Sequence, residues 1–154
     1  MYRGNHPAKV DEKGRLKLPS AFKQLLDAAH VAQFYITSTD GLKAEIWPLE
    51  TWEKQEARLV EASTMNASVA KFLDQTSYYG QQVEIDNQAR VLLPQILREK
   101  ARLDAEVAVM GRIDHLEVHN QALYEKRLEA SALTAEDLSA VAAILSGRAG
   151  TKIP

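Results

Sequence analysis

Residues 11–23 read DEKGRLKLPSAFK, and residues 86–98 repeat the same pattern as DNQARVLLPQILR. Asp, Arg, Leu and Pro stand at matching positions in the two stretches, which are offset by 86 − 11 = 75 residues. The likeness continues downstream, where GLKAEIWPLETWEK (41–54) parallels DHLEVHNQALYEK (114–126). A repeat of this length predicts one duplicated structural unit, with each copy covering about half of the chain.

Each copy predicts the order strand, turn, strand, helix and hairpin. In the first copy Arg15 and Lys17 alternate with Leu16 and Leu18, which places the basic side chains outward and the leucines toward a core. Pro19 ends this strand, because proline lacks the amide that a strand ladder needs. The alternation therefore predicts a short strand with one basic face.

The turn before this strand requires a residue that tolerates positive φ. Gly14 fills that role in the first copy, whereas the second copy has Ala89 at the matching place and offers Asn87 for the left-handed conformation. Asn87 is therefore the residue of the second turn that is most tolerant of this conformation, although Ala89 stands in the place of the glycine.

The remaining segments predict further strands and amphipathic helices. Short runs rich in β-branched or aromatic residues and bounded by turn formers are typical of strands, here FYITST, AEIWP, EVAVM and HLEVH. Apolar residues at helical spacing predict two central helices, with stripes formed by Leu49, Trp52, Leu59 and Val60, and by Val69, Phe72, Leu73 and Thr76. Near the end, Thr134 and Asp137 predict a capping box that opens a helix carrying Leu138, Val141 and Leu145.

Length and composition limit the class of protein. A chain of 154 residues with 45% hydrophobic content is long enough for one well-buried core. The absence of Cys excludes disulfides, thiolate catalysis and Cys-ligated zinc, and it suits the cytoplasm. No run of eighteen apolar residues and no signal-like start is present, so we expect no membrane partner.

The charge of the chain is segregated along the sequence. The formal net charge is −2, yet residues 1–23 carry six basic residues against Asp11 and Glu12, a local balance of 6 − 2 = +4. Acidic residues concentrate just downstream, at Glu45, Glu50, Glu53, Glu56 and Glu61. This pattern is consistent with a basic face for nucleic acid, and equally with ordinary solvated surface.

The opening MYRGNHPAKVDEKGRLKLPSAFK and the second Asp-x-x-x-Arg-x-x-Leu-Pro element, Asp86 to Pro94, resemble the MraZ family of bacterial regulators. The short motif alone also occurs in AbrB-like regulators and antitoxins, but the RGNH start and the tandem arrangement sharpen the likeness. This chain departs from the family pattern at Ala89, where Gly is usual, and at Lys23, where Arg is common.

The resemblance implies an α+β, mainly β fold: a swapped-hairpin AbrB-like barrel built from two tandem repeats in one chain, with flanking helices. The expected divisions are repeat 1 (5–52), a helical connector (53–80), repeat 2 (81–124), C-terminal helices (125–147) and a flexible tail (148–154). The family also forms closed rings, which implies a homo-oligomer.

The resemblance further implies a sequence-specific DNA-binding transcriptional regulator in the cytoplasm, associated with the nucleoid. Its implied partner is double-stranded promoter DNA of the division and cell-wall gene cluster, its own promoter included. Repression from direct repeats is the expected action. Two rivals are an antitoxin and a purely structural ring.

Arg15 is the first candidate for base contacts, since an oriented guanidinium can bind guanine in bidentate fashion. A surface ion pair with Asp11 is the plain alternative, and both can hold together. Arg90 takes the matching place in the second copy, with Leu92 where the first copy has Lys17. The candidates for phosphate contacts, each also readable as plain solvated surface, are Lys13, Lys17, Arg3 and Lys9.

Other chemistries find little support. His115 and His119 are four residues apart in a segment that alternates as a strand, so their side chains are expected roughly 13 Å apart and no metal is predicted. The aromatic residues are interpreted as packing or interface in preference to a single-strand stacking platform: Trp47, Trp52, Phe72, Tyr78 and Tyr79. No P-loop, GxSxG, HExxH or GxGxxG occurs, so we expect no enzyme, cofactor or small-molecule substrate.

Overall fold

The computed structural model describes residues 1–62 and 65–147, and in these ranges the fold is α+β with mainly antiparallel strands. Each copy has the predicted order of strand, strand, helix and hairpin. The tail expected at 148–154 lies outside the described residues. In chain order the elements are β1 (Asn5–Lys9), β2 (Arg15–Lys17), α1 (Ser20–Ala28), β3 (Gln33–Thr37), β4 (Ala44–Pro48), α2 (Leu49–Glu61), α3 (Ala67–Tyr78), β5 (Gln81–Glu84), β6 (Arg90–Leu92), α4 (Gln95–Lys100), β7 (Glu106–Gly111), β8 (Leu116–Asn120), α5 (Gln121–Ala130) and α6 (Ala135–Leu145).

The chain divides into two compact units, Met1–Gln121 and Ala122–Pro154. In the second unit the predicted capping box is confirmed, because Thr134 and Asp137 each accept the other's backbone N–H at the start of α6. The apolar stripe of α6 is exposed, at Leu138, Val141 and Leu145. Every helix in the described ranges is too short or too polar to span a bilayer.

Strands of the two copies alternate within one six-stranded antiparallel sheet in the order β1-β7-β8-β4-β3-β5. The first copy's β1 pairs with β7 of the second copy, and the second copy's β5 pairs with β3 of the first. A separate two-stranded ribbon joins β2 to β6. Neither copy therefore completes its own hydrogen bonding, and the two copies fold as one body.

The registers reveal a twofold relation between the copies. Leu16 of β2 lies opposite Val91 of β6, and Glu45 of β4 lies opposite Glu117 of β8, each residue facing its own counterpart in the repeat. The closed barrel that the resemblance implied is not confirmed by these pairings, because β1 and β5 are the two edges of the six-stranded sheet.

The core lies where the repeated motifs meet. Leu16 and Val91 on the inner face of the ribbon are fully buried, as are equivalent residues of the helices that follow, Phe22 and Leu97. Both helices begin directly after proline, at Pro19 and Pro94. Leucines and aromatics at repeat-related positions thus fill one shared core.

Asn87, which was available for the left-handed position of the second turn, does not take it. Ala89 takes that conformation with φ +62°, close to the φ of +84° at Gly14 in the first turn. The two turns share one hydrogen-bond pattern, in which the N–H of Gly14 or Ala89 donates to the carbonyl of the motif aspartate three residues earlier. Position in that pattern, and not side-chain preference, decides which residue is left-handed.

The two departures from the family pattern belong to one place in the structure. Arg98 lies against Gly14, so that a Cβ on Gly14 would be 2.3 Å from the guanidinium carbon, and Arg98 Nε donates to the carbonyl of Leu93. The repeat-related pair is Lys23 and Ala89, where Lys23 forms an ion pair with Asp27 instead. Lys23 has a smaller head group than Arg98, and Ala89 carries a methyl group that Gly14 lacks. The close contact between a guanidinium and a glycine therefore exists only at the first turn.

A buried polar cluster joins the copies at the centre of the large sheet. Glu45 and Glu117 face each other across β4 and β8, and both are largely buried. Glu45 accepts the indole N–H of Trp47 and the backbone N–H of Thr39. Two like charges at this position require compensating donors on both sides.

His115 and His119 supply part of that compensation. Their Nε2 atoms lie 3.5 Å and 3.0 Å from the two carboxylate oxygens of Glu117, and Arg112 Nε lies 3.1 Å from the same group. The expected 13 Å separation of the side chains is therefore wrong, because both rings lean along the strand onto the residue between them. Within the described ranges, no group of three or more His, Cys, Asp and Glu side chains is arranged to hold a metal.

Burial, charge and hydrogen bonds set the ionisation of this cluster. Burial raises the pKa of Glu117, but donation from His115, His119 and Arg112 outweighs it and holds the pKa far below its usual range. Burial lowers the pKa of His115, but hydrogen bonds to Glu117 and Asp114 and the charge of Glu45 outweigh it, so the pKa is raised. The cluster therefore favours an imidazolium beside a carboxylate.

Replacement of Ala89 by Gly should stabilise the protein by about 0.5–1 kcal/mol. A non-glycine residue in this conformation costs roughly 1–2 kcal/mol, and the greater conformational entropy of glycine in the unfolded chain offsets part of the gain. Urea unfolding measures the change. Gly14→Ala is the matched control and should destabilise, since its Cβ displaces Arg98. A destabilised Ala89→Gly variant would show that the methyl packs more than the turn strains.

The stability of the protein should fall as pH rises from 6 to 9, in part through His115. A raised pKa in the folded state contributes stability that is present below about pH 6.5 and lost as pH rises through the folded pKa. Urea unfolding of the His115→Gln variant should show a smaller loss over this range. An unchanged alkaline loss of stability in His115→Gln would contradict the assignment to His115.

On the acid side, the lowered pKa of Glu117 contributes stability above about pH 4.5 that is lost as pH falls.

Candidate nucleic-acid interface

The two-stranded ribbon has one buried face and one solvent face. Leu16 and Val91 cover the core on the buried face, and successive residues of a strand point to opposite sides. The solvent face, here called the ribbon face, therefore consists of Arg15, Lys17, Arg90 and Leu92. Three cations and one leucine from the two copies share a surface two strands wide.

Arg15 is held in place by Asp11. The aspartate Oδ1 accepts the backbone N–H of Arg15 at 2.8 Å and that of Lys13 at 3.0 Å, while Oδ2 accepts Arg15 Nε at 2.8 Å. The N–H of Arg15 and the guanidinium lower the pKa of Asp11, so the carboxylate stays ionised. Both alternatives for Arg15 therefore remain compatible, because an ion pair to Nε orients the guanidinium without using its terminal nitrogens.

Arg90 repeats this arrangement with Asp86. The backbone N–H and Nε of Arg90 each lie 2.8 Å from the aspartate oxygens, and the N–H of Gln88 donates to the same carboxylate. Burial raises the pKa of Asp86, but these donors outweigh it and the pKa is lowered. In the described part of the chain, the terminal Nη atoms of Arg15 and Arg90 make no hydrogen bond, so each guanidinium keeps two NH2 groups unengaged.

Lys17 and Arg90 face each other directly across the ribbon. Like charges at such a position destabilise a strand pair. The charge of Arg90 is offset by Asp86 at 2.8 Å, whereas Lys17 forms no ion pair in the described ranges. An anion above the ribbon face would relieve this repulsion.

The other candidate residues lie at different distances from the ribbon face. Lys13 is exposed in the turn between Asp11 and Arg15, and Lys9 ends β1 and lines a depression of about 540 Å3 together with Lys17 and Lys23. Arg3 precedes β1 at its other end, where its backbone packs beside Gly111. Arg3 and Lys9 thus lie at opposite ends of β1, whose four residue steps span about 13 Å, so Arg3 is set apart from the other basic candidates.

The two tryptophans of the first unit are packed inside it, whereas Tyr78 is 68% exposed on α3. Trp52 is 3% exposed, stacks on Tyr35 at 4.9 Å between ring centroids, and lies near Trp47 and Phe72. Trp47 stacks on His115 at 3.8 Å. The packing interpretation is confirmed for both tryptophans, which present no surface on which bases could stack.

Two residues of this region were not predicted to matter from the sequence, Arg98 and Leu92. The repeat itself held a signal for Arg98, because it occupies the place of Lys23, but its contact across to Gly14 depends on the swap of the two ribbon strands. Leu92 was noted only as the residue that replaces Lys17. Its 43% exposure and its place opposite Arg15 follow from the register, which neither strand reveals alone.

Comparison with known proteins identifies the relatives of this chain. The matching family profile is described as "MraZ protein, putative antitoxin-like" and covers residues 1–75 and 80–145. A protein of Acidobacterium capsulatum named transcriptional regulator MraZ is 53% identical over 142 residues, which are 92% of this chain and 97% of that protein. A protein of the same name from Koribacter versatilis is 44% identical over 138 residues, 89% of this chain and 94% of that protein.

The family profile matches the chain twice, once for each copy of the repeat that the structure interleaves. Identity to the two relatives extends over nearly the full length of all three proteins. The chain belongs to the MraZ family.

Proposed function

We propose that this chain is a sequence-specific DNA-binding regulator of transcription, and that it represses the division and cell-wall gene cluster, its own promoter included. The relatives from Acidobacterium and Koribacter are named transcriptional regulators, which supports a role at promoters. The chain would act in the cytoplasm at the nucleoid, and no catalytic step or small-molecule substrate is part of the proposal.

One observation carries the DNA proposal: two arginines, each braced by an aspartate through Nε, project from one narrow ribbon with their terminal nitrogens unengaged. The major groove admits a two-stranded β-ribbon, and guanidinium groups bind guanine O6 and N7 there. Diagonal positions across such a ribbon are about 7–8 Å apart. Arg15 and Arg90 therefore suit bases separated by about two steps of the duplex.

The lysines supply the contacts that do not depend on sequence. Lys17 lies on the ribbon face itself, and Lys13 and Lys9 border it, so all three suit phosphates that flank the groove. Arg3 is proposed as a more distant phosphate contact. The cationic residues of the first copy outnumber those of the second, where Gln88 and Leu92 stand in place of Lys13 and Lys17.

The proposed DNA-binding unit is one chain, divided as expected into repeats at 5–52 and 81–124 that together make a swapped-hairpin barrel. Because β2 and β6 of one chain already pair, no second chain is needed to complete the ribbon. Chains can then join head to tail into a closed ring. Exposed apolar side chains of α2 and α3 are proposed to form the contact between chains, namely Val60, Leu73 and Tyr78. Trp52 is buried and does not take part.

Replacement of Arg15 by Ala should weaken binding to the DNA of the chain's own promoter by about 5- to 150-fold, the value of one bidentate base contact of roughly 1–3 kcal/mol. Arg15→Lys should also lose this affinity, because an ammonium group cannot donate the two parallel hydrogen bonds of a planar guanidinium. Gel-shift titration measures both. Equal affinity of the variant and the original protein would refute the role of Arg15.

A salt series separates base contacts from phosphate contacts in the same assay. Lys17→Ala should make the negative slope of log K against log salt shallower by about 0.9, the value of one lost phosphate contact. The control is Lys54→Ala, which removes an exposed lysine of α2 and should leave the slope unchanged. Binding that ignores salt altogether would favour the structural ring. Urea unfolding of each variant verifies that the fold persists.

Footprinting on the DNA upstream of the gene should protect direct repeats spaced by about one helical turn, roughly 10 base pairs. Head-to-tail subunits present Arg15 in one orientation, whereas a twofold dimer presents it inverted. Light scattering on the same preparation gives the mass of the assembly. A palindromic footprint from a stable dimer would refute the ring and leave the DNA-binding proposal in place.

An antitoxin requires a disordered charged arm that covers a toxin. Residues 135–145 instead form the capped helix α6. This observation favours the regulator.

A further inference from the structure

We infer that Leu92 is a specificity-determining residue that contacts the C5-methyl group of a thymine in the major groove. The inference rests on the proposed function, since it names a base feature that the ribbon face reads. It assigns a role to the apolar side chain among the three cations of that face.

The position of Leu92 sets it apart from an ordinary surface leucine. It is 43% exposed, and its neighbour Val91 faces the core on the other side of the strand, so Leu92 points to the solvent side. Arg15 lies directly opposite it in the ribbon. Side chains at such positions have Cβ atoms about 4.5–5.5 Å apart, so Leu92 and Arg15 would enter the same groove together.

The repeat provides an internal comparison. Lys17 holds the matching place in the first copy, where 17 + 75 = 92, and faces Arg90. One half of the ribbon face thus pairs a cation with a cation, and the other pairs a cation with an apolar group. A surface that bound phosphates alone would gain nothing from the leucine, because phosphate oxygens make no favourable contact with an aliphatic side chain.

Major-groove chemistry identifies the match. Base edges there present hydrogen-bond donors and acceptors, and the one apolar feature is the thymine C5-methyl group. The rise of the duplex is about 3.4 Å per base pair, so a residue beside Arg15 would reach a thymine within one or two steps of the guanine that Arg15 binds. Uracil lacks this methyl group, so the contact would also favour DNA over RNA of the same sequence.

Single-atom changes in the DNA test the contact. A duplex enriched from a random library by the original full-length chain serves as the probe, and each thymine is replaced in turn by deoxyuridine. At one thymine or more, loss of the methyl group should weaken binding about three- to fivefold, the value of one buried methyl group. Scanning with 7-deazaguanine should place an Arg15-sensitive guanine within two base pairs of that thymine.

Three variants complete the experiment. Leu92→Ala should bind thymine and deoxyuridine duplexes equally, whereas Leu92→Met, which keeps an apolar side chain, should retain the methyl dependence. Leu25→Ala removes a leucine of similar exposure, 41%, that lies on α1 beside Pro48 and Lys54, and it should behave as the original chain. Unfolding midpoints in urea verify that all variants are folded.

The outcomes are distinct. A methyl dependence that persists in Leu92→Ala, or its absence from the original chain, overturns the role of Leu92 and leaves the DNA-binding proposal standing. A change of assembly mass in Leu92→Ala without any methyl dependence would assign the leucine to a contact between copies. If no duplex is enriched, the proposed function fails and the role of Leu92 fails with it.

Discussion

The antiparallel pairing of β2 with β6 is the interaction on which the rest of the structure depends. It places Leu16 against Val91 in the core and, by the alternation of a strand, forces Arg15, Lys17, Arg90 and Leu92 onto one outer face. Apolar burial of the inner face thus stabilises an outer face that carries like charges. The repulsive pair Lys17 and Arg90 is sustained by the core beneath it.

The same twofold relation operates at the centre of the large sheet, with different chemistry. There Glu45 lies opposite Glu117, and the two copies have diverged. Trp47 donates to the carboxylate of Glu45, whereas His115, His119 and Arg112 contact that of Glu117. Duplication within one chain permits this, because each half can change alone, whereas two identical chains would have to compensate both carboxylates in the same way.

Much of this arrangement could be predicted from the sequence, and the reason is local. The repeat at 11–23 and 86–98, the alternation around Arg15 and the capping box of α6 each depend on neighbouring residues, and the structure has all three. The exchange of β1 and β5 between the copies depends on partners distant in sequence, and only the family resemblance implied it. The left-handed Ala89 and the lean of His115 and His119 onto Glu117 are local, but they are set by backbone and rotamer geometry that residue spacing does not reveal.

The asymmetry of the two turns shows how packing between the copies affects the ribbon face. Arg98 crosses from the second copy to cover Gly14, so the turn that carries Lys13 and Arg15 is packed from beneath by a residue of the other repeat. The turn that carries Arg90 has Ala89 there, and Lys23 turns to Asp27 instead. A braced turn loses less conformational entropy when it orders on a ligand. The more basic half of the ribbon face is therefore also the half whose turn is braced, and both properties would serve the proposed contact with DNA.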